Sequence, residues 1–198
     1  VEQPDSQSVK YRLCEEANIP PKYWDVRFKD FETHNLPSKV AAGLVKDYMI
    51  GLEEELGRGR GITFWGSVGT GKTMLASLIA VHCLRKRCGV RFYREDDIFD
   101  SFKAKWNEPA EEHRFLTVLQ KVRCLIIDDF GVRKPTDYTS ERYQAIFNAR
   151  YESQRSTIIT TNVAQGKLDD AYLRVMDRLS EMNTSIEMIF PSYRRKND

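Results

Sequence analysis

The sequence predicts an α/β domain in which a five-stranded parallel sheet is flanked by helices. Three observations carry that expectation. From residue 61 onward, short apolar runs of strand length alternate with segments of helical period, and such alternation builds a parallel sheet with right-handed crossovers. A glycine-rich turn joins the first apolar run to the first long helix, and a central apolar run ends in two consecutive acids. The 198 residues suit one domain. With 41% hydrophobic and 30% charged residues, wholesale disorder is excluded. A net charge of +2 excludes a uniformly basic nucleic-acid binder, so any DNA contact must come from local patches or from several copies acting together.

We divide the chain into an N-terminal arm or linker, residues 1–36, and one folded domain, residues 37–198. Residues 1–20 are polar and are expected to form a short helix or arm outside the core. Over 37–56, Val40, Leu44, Val45, Tyr48 and Leu52 share a helical face. The glycines at 57, 59 and 61 stop that helix. Strands are expected at 62–65, 90–93, 124–128, 157–160 and 185–190, and helices at 72–87, 97–106, 111–122, 140–154 and 168–179. The run 124–128 is apolar on both faces, as a central strand covered by helices must be. The four cysteines lack metal-site or disulfide spacing and read as reduced thiols of a cytoplasmic protein. His34, His82 and His113 have no partners at metal-ligand spacing and read as structural. No apolar run reaches the roughly 18 residues of a membrane span. The chain opens Val1-Glu2-Gln3-Pro4, so no signal peptide is expected, and the missing initiator Met suggests a fragment or a processed form.

Gly66-Ser67-Val68-Gly69-Thr70-Gly71-Lys72-Thr73 matches G-x-x-x-x-G-K-[ST] between a strand and a helix, the context that motif demands. Glycines let backbone N–H groups face phosphate oxygens, and the helix N-terminus adds partial positive charge. Lys72 would reach the β- and γ-phosphates of ATP, and the Thr73 hydroxyl would bind Mg²⁺. Asp128 and Asp129 end the central strand where open α/β sheets bind ligands. Asp128 suits Mg²⁺, and Asp129 is placed to polarise the attacking water. Asn162, after Thr160-Thr161, can orient that water from the other side; read alone, such an Asn is more often a turn residue.

In this order the motifs resemble those of an AAA+ ATPase, a P-loop NTPase. The segments Ile126 to Gly131, Ile158 to Asn162, Arg174 to Leu179 and Ser192 to Arg195 are similar to those of DnaC/DnaI-type helicase loaders and IstB-type transposition ATPases. So is the leading segment Ile19-Pro20-Pro21-Lys22-Tyr23, and the likeness covers residues 11–196. The resemblance implies that Lys72 and Thr73 contact nucleotide and magnesium, that Asp128 binds metal, and that Asp129 is catalytic where many relatives carry Glu. It implies Asn162 as sensor 1, Arg178 as the arginine finger reaching a neighbour's γ-phosphate, and Arg194 as the sensor-2 arginine. Arg174 is close enough to Arg178 to be confused with it, and composition alone would read all three as solvated arginines. Tyr23 and Phe28 lie where the family packs the nucleotide base. Only 36 residues follow Asn162, so the C-terminal lid is expected to be abbreviated.

The stretch 96–121 holds two helices where a minimal P-loop unit has one, which resembles the insertion of the initiator and loader branch. There Lys103 and Trp106 are candidates for single-stranded DNA: lysine neutralises phosphate and an aromatic stacks on a base. Helical spacing places Phe99, Phe102 and Trp106 on one face, and Phe99 and Phe102 read as core. The implied function is an ATP-dependent helicase loader in DNA replication, oligomeric, with a replicative helicase as partner and a slow, assembly-dependent ATPase. The alternatives are an IstB-type transposition ATPase with a transposase as partner, a small-molecule P-loop phosphotransferase, and an ATP-binding adaptor that scarcely hydrolyses.

Overall fold

The structure is a computed structural model and describes residues 6–164 and 167–193. Five strands, β1 (Gly61–Gly66), β2 (Val90–Arg94), β3 (Cys124–Asp128), β4 (Ser156–Thr161) and β5 (Asn183–Met188), form one sheet in the order β2-β3-β4-β1-β5. Every pairing is parallel. β3 and β4 are buried along their whole length, because helices cover both faces of the sheet's centre. The helices are α1 (Ser6–Glu16), α2 (Leu36–Ile50), α3 (Leu52–Gly57), α4 (Lys72–Arg85), α5 (Glu95–Ala104), α6 (Pro109–Lys121), α7 (Asp137–Glu152) and α8 (Asp170–Met182). Two apolar clusters result, one on each side of the sheet. One gathers α1, α2 and α4; the other gathers α5 to α8 around Phe130, Tyr143, Phe147 and Tyr172. Among the described residues no helix is long and apolar enough to cross a membrane, and the four cysteines are free and buried.

Three expectations are corrected. The single helix over 37–56 is two helices, broken at Gly51. Its buried face is Ser38, Ala41, Ala42, Val45 and Tyr48, whereas Val40 and Leu44 are exposed. Small side chains turn inward because α2 lies close against the edge strand β5. Residues 11–19 are not outside the core: Cys14, Ala17 and Ile19 are buried, and Phe92 N–H donates to Ala17 O at 2.8 Å. Finally, Trp106 does not continue the face of Phe99 and Phe102. α5 ends at Ala104, and Trp106 lies beyond it, 58% exposed.

One polar side chain holds a large part of the second layer together. Arg150 of α7 is 1% exposed. Its guanidinium donates to the carbonyls of Leu119 (2.7 Å), Val122 (2.9 Å), Gln120 (3.5 Å) and Ser156, and to Thr157 Oγ1 (2.9 Å). No carboxylate forms an ion pair with it among the described residues, and burial pushes its pKa down to about 9.

Candidate functional site

The glycine-rich turn leads from β1 into α4 over the C-terminal ends of the strands. Gly66 (φ +142°) needs its missing side chain, since a Cβ would stand 2.2 Å from Met188 O. Gly71 (φ +91°) is likewise closed to a side chain, here by the Phe31 ring at 2.8 Å. Lys72 is 5% exposed, and its Nζ donates to Gly66 O (2.9 Å) and Ser67 O (2.7 Å). The ammonium thus braces the loop from inside, at the position where phosphate oxygens would meet it.

Thr73 Oγ1 donates to both carboxylate oxygens of Asp128, at 2.9 and 3.1 Å. Thr160 Oγ1 donates to Asp128 Oδ1 at 2.5 Å and accepts from Asp129 N–H at 3.1 Å. Burial raises the Asp128 pKa above the ordinary carboxylate value; the Thr160 bond opposes this, and the neighbouring Asp129 charge adds to it. A buried acid beside an alcohol, facing an anion loop, is an oxygen donor set suited to Mg²⁺, which takes one or two carboxylates and completes its shell with water and substrate phosphates. Asp129 stands in the left-handed region (φ +57°). That conformation turns its side chain away from Asp128, toward Asn162, whose Nδ2 donates to Asp129 Oδ1 at 3.1 Å. On the other side Arg94 Nη2 lies 3.5 Å from Asp129 Oδ2.

Lys72, Thr73, Asp129, Asn162, Val68, Gly69, Gly71 and Tyr23 line one cleft of about 390 Å³. Phe31, Glu32 and Tyr193, which sequence reasoning did not single out, also line it. Tyr193 N–H donates to Gly69 O at 3.0 Å, and its hydroxyl to Glu32 O. Arg94 and Thr160 were also missed. Their signal was position, at the C-terminal ends of parallel strands. Arg178 is not in this cleft. It lies half-buried beside Tyr151 and Arg155, near the N-terminal end of β4 and so at the opposite end of the sheet. Arg174 is exposed one turn earlier, and Arg194 lies outside the described residues.

A second concavity, of about 380 Å³, gathers Lys103 and Trp106 with Phe99, Arg133, Lys134 and Tyr138. The Trp106 and Tyr138 rings are 4.5 Å apart. Between the two sites lies Glu95, 2% exposed. Burial pushes its carboxyl up to about 7, against the pull of the Gly131 N–H. Between about pH 4.5, its ordinary value, and pH 7 the folded state therefore holds a proton that the unfolded chain releases. Its contribution to stability falls as pH rises through that window, by about 3 kcal/mol in all. In Glu95→Gln this slope is expected to vanish, which urea denaturation at pH 5 and pH 8 would read.

The chain resembles known proteins over most of its length. The IstB-like ATP binding protein family model matches residues 28–198. A putative ATP-binding protein of insertion sequence IS232 from Bacillus thuringiensis is 30% identical over 142 residues, 69% of this chain; the match spans 56% of that relative's own length. A replicative helicase loader DnaC from Buchnera aphidicola is 26% identical over 190 residues, covering 93% of this chain and 76% of that one. The crystal structure of the DnaC helicase loader superposes with a TM-score of 0.71 at 26% identity, over 85% of this chain and 99% of that one. The strand order, the phosphate loop and the acid-tipped β3 are those of an AAA+ ATP-binding domain, and the chain belongs to the IstB-like ATP-binding protein family.

Proposed function

We propose that this chain is the ATPase domain of a helicase loader that binds Mg·ATP, assembles on single-stranded DNA and hydrolyses ATP only in the assembly. The observation that carries the reading is the meeting of Lys72, Thr73 and the Asp129–Asn162 pair in one cleft, with Asp128 hydrogen-bonded to Thr73. Lys72 holds the β- and γ-phosphates, and Asn162 keeps the Asp129 carboxylate aimed at the attacking water. Thr73 and Asp128 hold Mg²⁺, which when bound neutralises charge on the phosphate oxygens. The products are ADP and phosphate. Arg178 lines a different concavity from its own cleft, which favours its use on a neighbouring protomer's γ-phosphate, with Arg194 acting in cis. Tyr23, Phe31 and Tyr193 offer aromatic surface to the base. Support for DNA comes from the Trp106–Tyr138 platform edged by Lys103, Arg133 and Lys134.

The test follows ATP turnover per protomer against protein concentration, with and without an oligonucleotide, for the wild type, Arg178→Ala and Trp106→Ala. The wild-type rate is expected to rise with concentration. Arg178→Ala is expected to lose on the order of 10³ in turnover while still binding ATP. Trp106→Ala is expected to weaken oligonucleotide binding by about 1–3 kcal/mol. A rate per protomer that is flat with concentration and indifferent to Arg178 removes the trans-acting arginine. A second reading, a transposition ATPase, is favoured by the insertion-sequence relative. Retention of a replicative helicase or of a transposase by the immobilised chain separates the two.

A further inference from the structure

Glu95 is a buried acid with no ion pair among the described residues. Three acids open α5, Glu95, Asp96 and Asp97, where the helix dipole favours negative charge; of these, only Glu95 is buried. Its Oε2 accepts the Gly131 N–H at 3.0 Å. The Arg133 N–H and the hydroxyls of Tyr143 and Tyr172 also face its carboxyl. Burying a carboxyl among apolar side chains is costly even when it is hydrogen-bonded, so packing alone does not account for an acid here.

The groove beyond it has two walls. One is α5, with Phe99 and Lys103; the other is the segment after β3, with Arg133 and Lys134. Arg133 spans them, 3.7 Å from Asp96 and 3.5 Å from Asp100, with its guanidinium 5.5 Å from the centre of the Phe99 ring. Tyr172 OH donates to Arg133 O at 2.7 Å and secures the second wall from α8. At their root the walls are joined by the Glu95–Gly131 bond. The same root holds the cleft's acid, because Arg94 pairs with Asp129 and so adjacent residues 94 and 95 grip positions 129 and 131. On its far side this turn is pinned to β4 by Phe130 N–H to Thr160 O (2.8 Å) and Thr161 Oγ1 to Phe130 O (2.7 Å). The turn is thus held between β4 on one side and the start of α5 on the other.

We infer that Glu95 is a positioning residue that joins the two walls of the groove to the turn bearing Asp129, so that single-stranded DNA in the groove changes the rate of ATP hydrolysis through α5. This rests on the reading of both sites given under Proposed function.

The experiment measures kcat and KM for ATP, with and without an oligothymidylate, together with oligonucleotide Kd, for the wild type, Glu95→Leu and Glu95→Gln at a protein concentration where the wild type assembles. The oligonucleotide is expected to change wild-type kcat about fivefold or more, the usual scale of coupling between two sites. Glu95→Leu, which keeps volume but removes the acceptor, is expected to bring that response close to one, with KM and oligonucleotide Kd within about twofold of the wild type. Glu95→Gln retains an acceptor for Gly131 N–H and is expected to rescue most of the response. A full response in Glu95→Leu overturns the inference. So does a loss of response accompanied by an equal loss of oligonucleotide affinity, which marks a merely structural role. A wild type that does not respond at all overturns the groove reading itself, and is told apart because it needs no variant. If Glu95→Leu does not fold, hydrogen exchange of the wild-type segment 129–133 decides. Slower exchange on adding the oligonucleotide is expected, and unchanged exchange overturns the coupling.

Discussion

Lys72→Ala is expected to weaken ATP binding by two to three powers of ten, with turnover lost at any practical nucleotide concentration. The ammonium is nearly enclosed, within 2.7 and 2.9 Å of two loop carbonyls, so a phosphate bound there would meet it largely shielded from solvent. Hydrogen bonds to charged groups contribute about 1.5–3 kcal/mol each. Losing one or two of them costs about 3–4 kcal/mol, at about 1.4 kcal/mol per tenfold. Lys72→Arg should be nearly as damaging, because a planar guanidinium does not fit a pocket shaped for a compact ammonium. Titration calorimetry reads the affinity, and circular dichroism at the working temperature, expected to show a folded chain, serves as the control. An affinity within threefold of wild type would remove Lys72 from the phosphate site.

The largest effect on stability is expected at Arg150. Arg150→Ala removes a buried cation whose five acceptors come from the end of α6 and the start of β4. The cation needs no acid because the last carbonyls of a helix carry partial negative charge. Without it those carbonyls are left dry, and the cost is about 3–5 kcal/mol, against a total stability of about 5–15 kcal/mol for a domain. Arg150→Lys keeps the charge but offers three donors on one centre, and should recover about half of the loss. Urea denaturation measures both variants. A loss below about 1 kcal/mol in Arg150→Ala would show that water replaces the guanidinium.

How far the sequence could be read depended on whether a signal was local. β3 was legible because burial on both faces demands an unbroken apolar run. Lys72, Thr73 and Asp128 were legible because loop chemistry and a strand end each fix a residue at a set position. The inward face of α2 was not. Periodicity weighs side chains by apolarity, yet at a close approach to β5 size decided, so Ala41 and Ala42 went in and Val40 stayed out. Cys14, Ala17 and Ile19 were hidden in a polar segment too short for its pattern to register. Phe31 and Tyr193 come from opposite ends of the chain and meet only over the folded phosphate loop, which no local pattern records. Arg150 looked like any helix arginine, since nothing within α7 shows what its side chain will meet.

The strand order has a consequence for how the protein is made. β1 and β3 are not neighbours; β4 lies between them and pairs with both. A ribosome releases the phosphate loop early and β3 later, yet Thr73 and Asp128 face each other only across a strand that begins at Ser156. Until β4 inserts, the nascent chain carries two halves of a nucleotide site held apart, and such long-range pairings form slowly. If β4 is the last interior strand to insert, the same step brings Thr73 against Asp128 and would create affinity for ATP. Nucleotide would act on the newborn chain as a latch on finished molecules and leave partly folded ones unbound.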